Sequence, residues 1–184
     1  MCIRDSFTPT NLAIFKLAFK HSSKSTTAHT NNERLEYLGD AVLDAIVSDW
    51  LFKRYAIKGE GFLTEVRSKI VNRKRLGDVG GKLNLQQLLD YDKGYVTINS
   101  TILGNALEAL IGAIYLDAGY EKTRYFVMHK MIHPYIDLDE LQRVDINYKS
   151  RVFEWAQKYD KELTFKVLEE KNDANFAQHL AKLA

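Results

Sequence analysis

Apolar residues recur at helical spacing over most of this chain. From Asn32 to Tyr55 there is no proline. Leu35, Leu38, Val42, Ile46, Val47, Trp50 and Leu51 make that segment apolar nearly all round, the pattern of a buried helix. Asn32 is a good N-cap for it, and Glu33 suits the positive first turn. A first helix is predicted over Asn11–Phe19 after Thr8-Pro9-Thr10, with Leu12, Phe15, Leu17, Ala18 and Phe19 on its apolar side. Ser22–Thr30 is rich in Ser and Thr and reads as a loop; His21 and His29 read as polar loop groups rather than ligands. Lys58-Gly59-Glu60-Gly61 breaks the long helix. Leu63–Val71 resumes helix, with Arg67 and Lys69 at the surface. Arg73-Lys74-Arg75 starts the next helix, weakened by Gly77, Gly80 and Gly81 and ending near Leu83. A short turn over Leu85–Leu89 and an irregular stretch over Tyr91–Asn99 lead to a second apolar helix. Ser100 is its expected cap, and Asp117-Ala118-Gly119-Tyr120 its end. Tyr120–Ile132 is another helix, stopped by Pro134. Beyond a polar connector, Asn147–Tyr159 is amphipathic, Leu163–Glu169 alternates as a strand, and Asn175–Ala184 reads as the tail of a closing helix.

The long helix carries a conflict. At about 100° per residue, Glu33, Glu36 and Asp40 fall within roughly 60° of one another. Carboxylates on one stripe repel, and burying them is costly unless they are protonated, paired or bound to a cation. Two readings are open: Glu33 and Glu36 are solvated while Asp40 pairs with an arginine, or the stripe is a binding site. The second apolar helix carries Asn105 and Glu108 one turn apart, on one face. Its small residues Gly104, Ala106, Ala109, Gly112 and Ala113 allow another helix to approach closely. If the two helices face each other, Glu36, Asp40, Asn105 and Glu108 form an oxygen-only cage, which suits Mg²⁺ or Mn²⁺ rather than zinc. The basic run Arg73-Lys74-Arg75 reads either as a solvated helix face or as a phosphate contact.

Composition narrows the choice. A chain of 184 residues suits one domain of ordinary size with at most a small appendage, and 46% hydrophobic residues are ample for a core. The formal net charge of +2 does not announce a nucleic-acid binder, so any basic surface must be local. Cys2 is the single cysteine; no internal disulfide can form, which fits a reducing compartment. No apolar run reaches membrane-spanning length, and no secretory leader is evident. The expectation is a cytoplasmic protein without a membrane partner. Met1–Ser6 has no periodicity and reads as an assembly scar.

Glu33-Arg34-Leu35-Glu36-Tyr37-Leu38-Gly39-Asp40-Ala41-Val42-Leu43 resembles the signature of the ribonuclease III family of double-stranded-RNA endonucleases. Ala18-Phe19-Lys20-His21-Ser22, Glu60-Gly61-Phe62-Leu63-Thr64 with Arg67, and Leu103–Gly119 resemble further segments in the family's order. The match covers about residues 10 to 140. It implies an all-α endonuclease domain, a helical bundle, over residues 7–140. Over residues 141–184 it implies a linker and an incomplete α/β double-stranded-RNA-binding module, short of two strands and of the basic helix start, and so weak in RNA binding.

By the same resemblance, Glu36, Asp40, Asn105 and Glu108 hold catalytic Mg²⁺, with Mn²⁺ as a substitute, and Asp40 and Glu108 are the catalytic pair. Glu33 and Glu60 are supporting acids. Arg73, Lys74, Arg75 and Lys149 are candidate RNA contacts. An activated water would hydrolyse the phosphodiester without a covalent protein intermediate, leaving 5′-phosphate and 3′-hydroxyl ends. A homodimer would cut both strands of an RNA duplex read by its A-form shape, in rRNA or mRNA processing. Tyr37, Leu38 and Leu43 are candidates for the dimer surface, with ordinary core as the other reading of the two leucines. One position departs from the pattern: the family usually has Asp where Asn105 stands, which removes a negative charge and should weaken metal binding. Asn105 and the short C-terminal module leave a second hypothesis, a noncatalytic double-stranded-RNA-binding or ribosome-assembly protein on the same scaffold. The clustered acids favour the enzyme, because a scaffold has no use for them beside RNA phosphate.

Overall fold

A computed structural model of the chain describes residues 8–25, 27, 29–138, 141, 152 and 155–164. The chain divides into two compact units, Met1–Gln142 and Arg143–Ala184. The first contains α1 (Leu12–Ala18), α2 (Glu33–Arg54), α3 (Glu60–Ile70), α4 (Arg73–Lys82), α5 (Ser100–Phe126) and α6 (His133–Tyr135). Single 3₁₀ turns fall at Ser22–Lys24 and Leu85–Gln87, and a π-helical segment, Val127–Ile132, joins α5 to α6. The body is helical, as the apolar spacing predicts. Among the described residues there is no strand, only an isolated parallel bridge between Lys20 and Asp90.

α5 is the axis of the first unit. From Ala106 to Ile114 it is buried apart from Glu108, and α2 and α4 pack along it. By length and composition alone, Ser100–Tyr135 could cross a membrane, which the sequence reading did not anticipate. Half of its most apolar window lies inside the protein, the mark of a core helix wrapped by its neighbours.

The packing is backbone against backbone. A Cβ built on Gly39 would sit 1.8 Å from the Glu108 carbonyl oxygen, and one on Gly112 would sit 2.3 Å from the Leu35 carbonyl oxygen. Leu35 therefore meets Gly112 while Gly39 meets Glu108, so α2 and α5 run antiparallel. Gly77 presses α4 onto Ser100 in the same way, at 2.2 Å; it lets α4 dock rather than merely weakening it.

Several local expectations change. Asn32 stands at the N-cap position of α2 but makes no side-chain cap; Asn31 Oδ1 instead accepts from the Glu33 amide at 3.0 Å. For α5 the cap is Asn99, whose Oδ1 accepts from the Ile102 amide at 3.1 Å, and Ser100 is already inside the helix. The two helices expected around residue 120 do meet there: the run Ser100–Phe126 is interrupted at Gly119, whose φ of +77° and ψ of 178° are not helical. Lys69 is buried, not at the surface, because its ammonium pairs with Glu65 at 2.6 Å one turn earlier. Leu43 is only 1% exposed and belongs to the core, which removes it from the dimer-surface candidates. Nor is α2 buried all round: Tyr37 is 81% and Phe52 70% exposed. α1 is fastened to the far part of α5, where the Asp117 carboxylate accepts from the amides of Thr10 (2.9 Å) and Asn11 (2.8 Å) and from the Thr10 hydroxyl.

In the second unit, residues 155–158 are helical and the Trp155 and Tyr159 rings lie 5.6 Å apart. Leu163 and Thr164 form no regular structure. The rest of the predicted strand, the closing helix, Met1–Ser6 and Lys149 lie outside the described residues.

Candidate active site

The glycine crossing carries the chemistry with it. α2 is apolar on the side it turns to α5 and acidic just beside that side. The contact at Gly39 and Gly112 brings its acids to the edge of α5. There Glu33, Glu36 and Asp40 of α2 meet Asn105 and Glu108 of α5 around one cavity of about 420 Å³. Tyr37, Val71, Gly104 and Arg73, the first residue of α4, complete the lining.

The electrostatics record the crowding. Burial raises the Glu108 carboxyl to about 7, and the nearby charges of Asp40 and Glu36 add to the rise; Arg73 works against it. Glu36 is raised by burial and then by Glu33 and Asp40, while Arg73 and a hydrogen bond from the Asn105 side chain pull it down. Since that bond favours the charged carboxylate, the Asn105 amide nitrogen is the donor, and its carbonyl oxygen remains for another partner. Glu33 is steadied from behind: Asn31 Nδ2 donates to its Oε2 at 3.1 Å.

The donor set fits a hard divalent cation. All four candidate donors are oxygens, three of them carboxylates whose mutual repulsion a cation would relieve. They border an open cavity rather than a closed cage: among the described residues, no three carboxylate, imidazole or thiol groups are already drawn into a metal-holding cluster.

Not every candidate from the sequence comes to this cavity. Glu60 lines a separate groove between α2 and α3, with Ser48, Phe52, Lys58 and Arg67, and accepts from the Thr64 hydroxyl at 3.0 Å. Of the basic run, only Arg73 borders the cavity. Lys74 is exposed, and Arg75 is half-buried with an Nε that is enclosed and has no hydrogen-bond partner. One acid was missed. Asp44, one turn beyond Asp40 on α2, is raised by burial and by Asp40, against the pull of Arg67, and it in turn raises Glu108. Its four-residue spacing from Asp40 was the available signal.

Known proteins with this pattern agree with one another. Residues 11–135 match the family model described as Ribonuclease-III-like. The chain is 44% identical to the Ribonuclease 3 of Phocaeicola vulgatus, over 92% of this chain and 56% of that one. It is 37% identical to the Ribonuclease 3 of Flavobacterium psychrophilum, over 97% of this chain and 74% of that one. The solved nuclease domain of ribonuclease III from Campylobacter jejuni superposes with a TM-score of 0.65 at 32% identity, covering 74% of this chain and 100% of that domain. A second structure of that domain is described by the flexibility of a region involved in dimer formation. The chain spans little more than half the length of the first curated relatives it matches.

Proposed function

The chain belongs to the ribonuclease-III-like family, and from that premise we propose that it is a metal-dependent endonuclease that hydrolyses double-stranded RNA to 5′-phosphate and 3′-hydroxyl ends. The observation that carries the proposal is the convergence of carboxylates from α2 and α5 on one cavity, with Glu108 pushed up to about 7 by burial and by its acidic neighbours. Such a cluster has no role in folding, because like charges brought together out of water destabilise it.

Glu36, Asp40 and Glu108 would hold Mg²⁺ through their carboxylates, and Asn105 through its carbonyl oxygen, with Mn²⁺ as a substitute. When bound, the metal supplies charge neutralisation at the phosphodiester oxygens and lowers the pKa of water. The protein's own part is positional. Asn105 Nδ2 orients the Glu36 carboxylate. The backbone contact at Gly39 fixes the spacing between Asp40 and Glu108. The Arg73 guanidinium offsets the negative charge of Glu36 and Glu108, and from the cavity wall it can meet a phosphate oxygen that those acids would otherwise repel. Glu33 supports the acidic wall. A role for Glu60 runs through the separate groove it lines.

The wider assignment is a homodimeric cytoplasmic enzyme of rRNA or mRNA processing. The dimer is supported by the exposed Tyr37, which borders an apolar groove with Ile14, Leu17, Leu38 and Leu116. The test is cleavage of a long RNA duplex with Mg²⁺ by the parent chain and by Glu108→Ala. A loss on the order of a hundredfold or more is expected. Equal, negligible cleavage by both would favour the noncatalytic RNA-binding scaffold, the reading that the neutral Asn105 supports.

A further inference from the structure

Asp44 is the acid that the cavity does not use. With Glu36 and Asp40 it forms an i, i+4, i+8 stripe along one face of α2, so the three side chains stand one above another. Its Oδ1 is buried and has no hydrogen-bond partner. The cation within electrostatic reach, Arg67, donates from its Nη1 to the Ser48 hydroxyl at 3.0 Å instead of closing on that oxygen. An enclosed carboxylate oxygen left idle costs stability, and nothing in the packing of α2 requires it. Asp44 nevertheless feels Asp40 and adds, as the weakest of its neighbours, to the rise at Glu108, so its charge reaches the cavity although its side chain does not line it. On the opposite wall Asn105 offers an oxygen without a charge. Three carboxylates and one amide give the donors one negative charge fewer than four carboxylates would.

Resting on the reading of this cavity as a divalent-cation site, we propose that Asp44 is a positioning residue that supplies from one turn away the negative charge Asn105 withholds. It acts through the field at the cavity and not as a ligand. A full charge one helical turn from Asp40 in a partly buried setting is strong enough to matter for a doubly charged ion. The arrangement separates two jobs that one aspartate would combine: Asn105 keeps the Glu36 carboxylate oriented through its N–H, and Asp44 restores the charge.

The experiment measures Mn²⁺ binding to the full chain by electron paramagnetic resonance, without RNA. Asp44→Asn, which keeps the shape and removes the charge, should weaken Mn²⁺ about tenfold. Asn105→Asp in the Asp44→Asn background should bring the affinity back to that of the parent. Melting in chelator should show Asp44→Asn at least as stable as the parent, since it removes a carboxylate that burial penalises. Unchanged Mn²⁺ affinity in Asp44→Asn, or failure of the double variant to recover, overturns the inference while leaving the cation site standing. If the parent shows no saturable Mn²⁺ binding, or if Glu108→Gln leaves that binding intact, the cation-site reading falls and this inference falls with it.

Discussion

Through its protonation, Glu108 bears on stability and on the proposed cation binding. Its folded-state value of about 7 lies above the ordinary 4.5 because the folded chain holds the proton more tightly than the unfolded chain does. Without metal, the Glu108 contribution to stability is therefore greatest below the ordinary value and falls as pH rises toward about 7. Glu36 is raised in the same direction and adds to the slope. Melting in chelator from about pH 5 to about pH 8 should show this decline, and Glu108→Gln should flatten it. A cation must displace the same proton, so Mn²⁺ affinity should weaken below neutral pH by up to about tenfold per pH unit. Titrations of Mn²⁺ at a series of pH values would show it. Asn105→Asp should tighten Mg²⁺ by adding charge; unchanged or weaker binding would remove Asn105 from the ligand set.

At the scale of elements, α2 and α5 meet where no side chain intervenes. Gly39→Ala would place a methyl carbon 1.8 Å from the Glu108 carbonyl oxygen and force the helices apart. A loss of about 3 kcal/mol in urea denaturation is expected, with weaker cation binding in the fraction that folds. At the other end of α5, Asp117→Ala removes the acceptors for Thr10 and Asn11. Amide hydrogen exchange should then accelerate across α1 while the rates in α5 stay put. Much at this scale was legible in the chain itself. The apolar spacing located α1 to α5, and two stripes of oxygen-bearing residues on two helices were enough to pair those helices. What escaped depended on three-dimensional neighbours. Asn31 and Asn32 are equally good caps on paper, and only the backbone geometry chooses Asn31. Leu43 and Tyr37 look alike as apolar surface candidates until packing buries one and exposes the other. Glu60 resembles the other acids in type, but α3 carries it to a different groove. The spacing of Asp44 places it on the acidic stripe, but only the fold shows that it is partly buried with an unpartnered oxygen.

For the whole molecule, the exposed apolar ring of Tyr37 beside the groove of Ile14, Leu17, Leu38 and Leu116 sets the assembly prediction. Tyr37→Lys should move the chain from dimer to monomer in sedimentation without lowering its melting temperature, since the ring is spent on no internal packing. RNA cleavage should fall with the dimer population. An unchanged sedimentation coefficient would remove Tyr37 from the proposed dimer surface.

The glycine contact at residues 39 and 112 also limits how the protein can vary. Where two main chains already touch, a side chain added at the crossing can only force the helices apart at a cost to folding, so the gap between the acidic walls cannot be tuned there. Any lineage that needs a different ion preference has to alter the donors or the charges around them and leave the frame alone. An amide at residue 105 with an acid at residue 44 would be one such arrangement on an unyielding chassis.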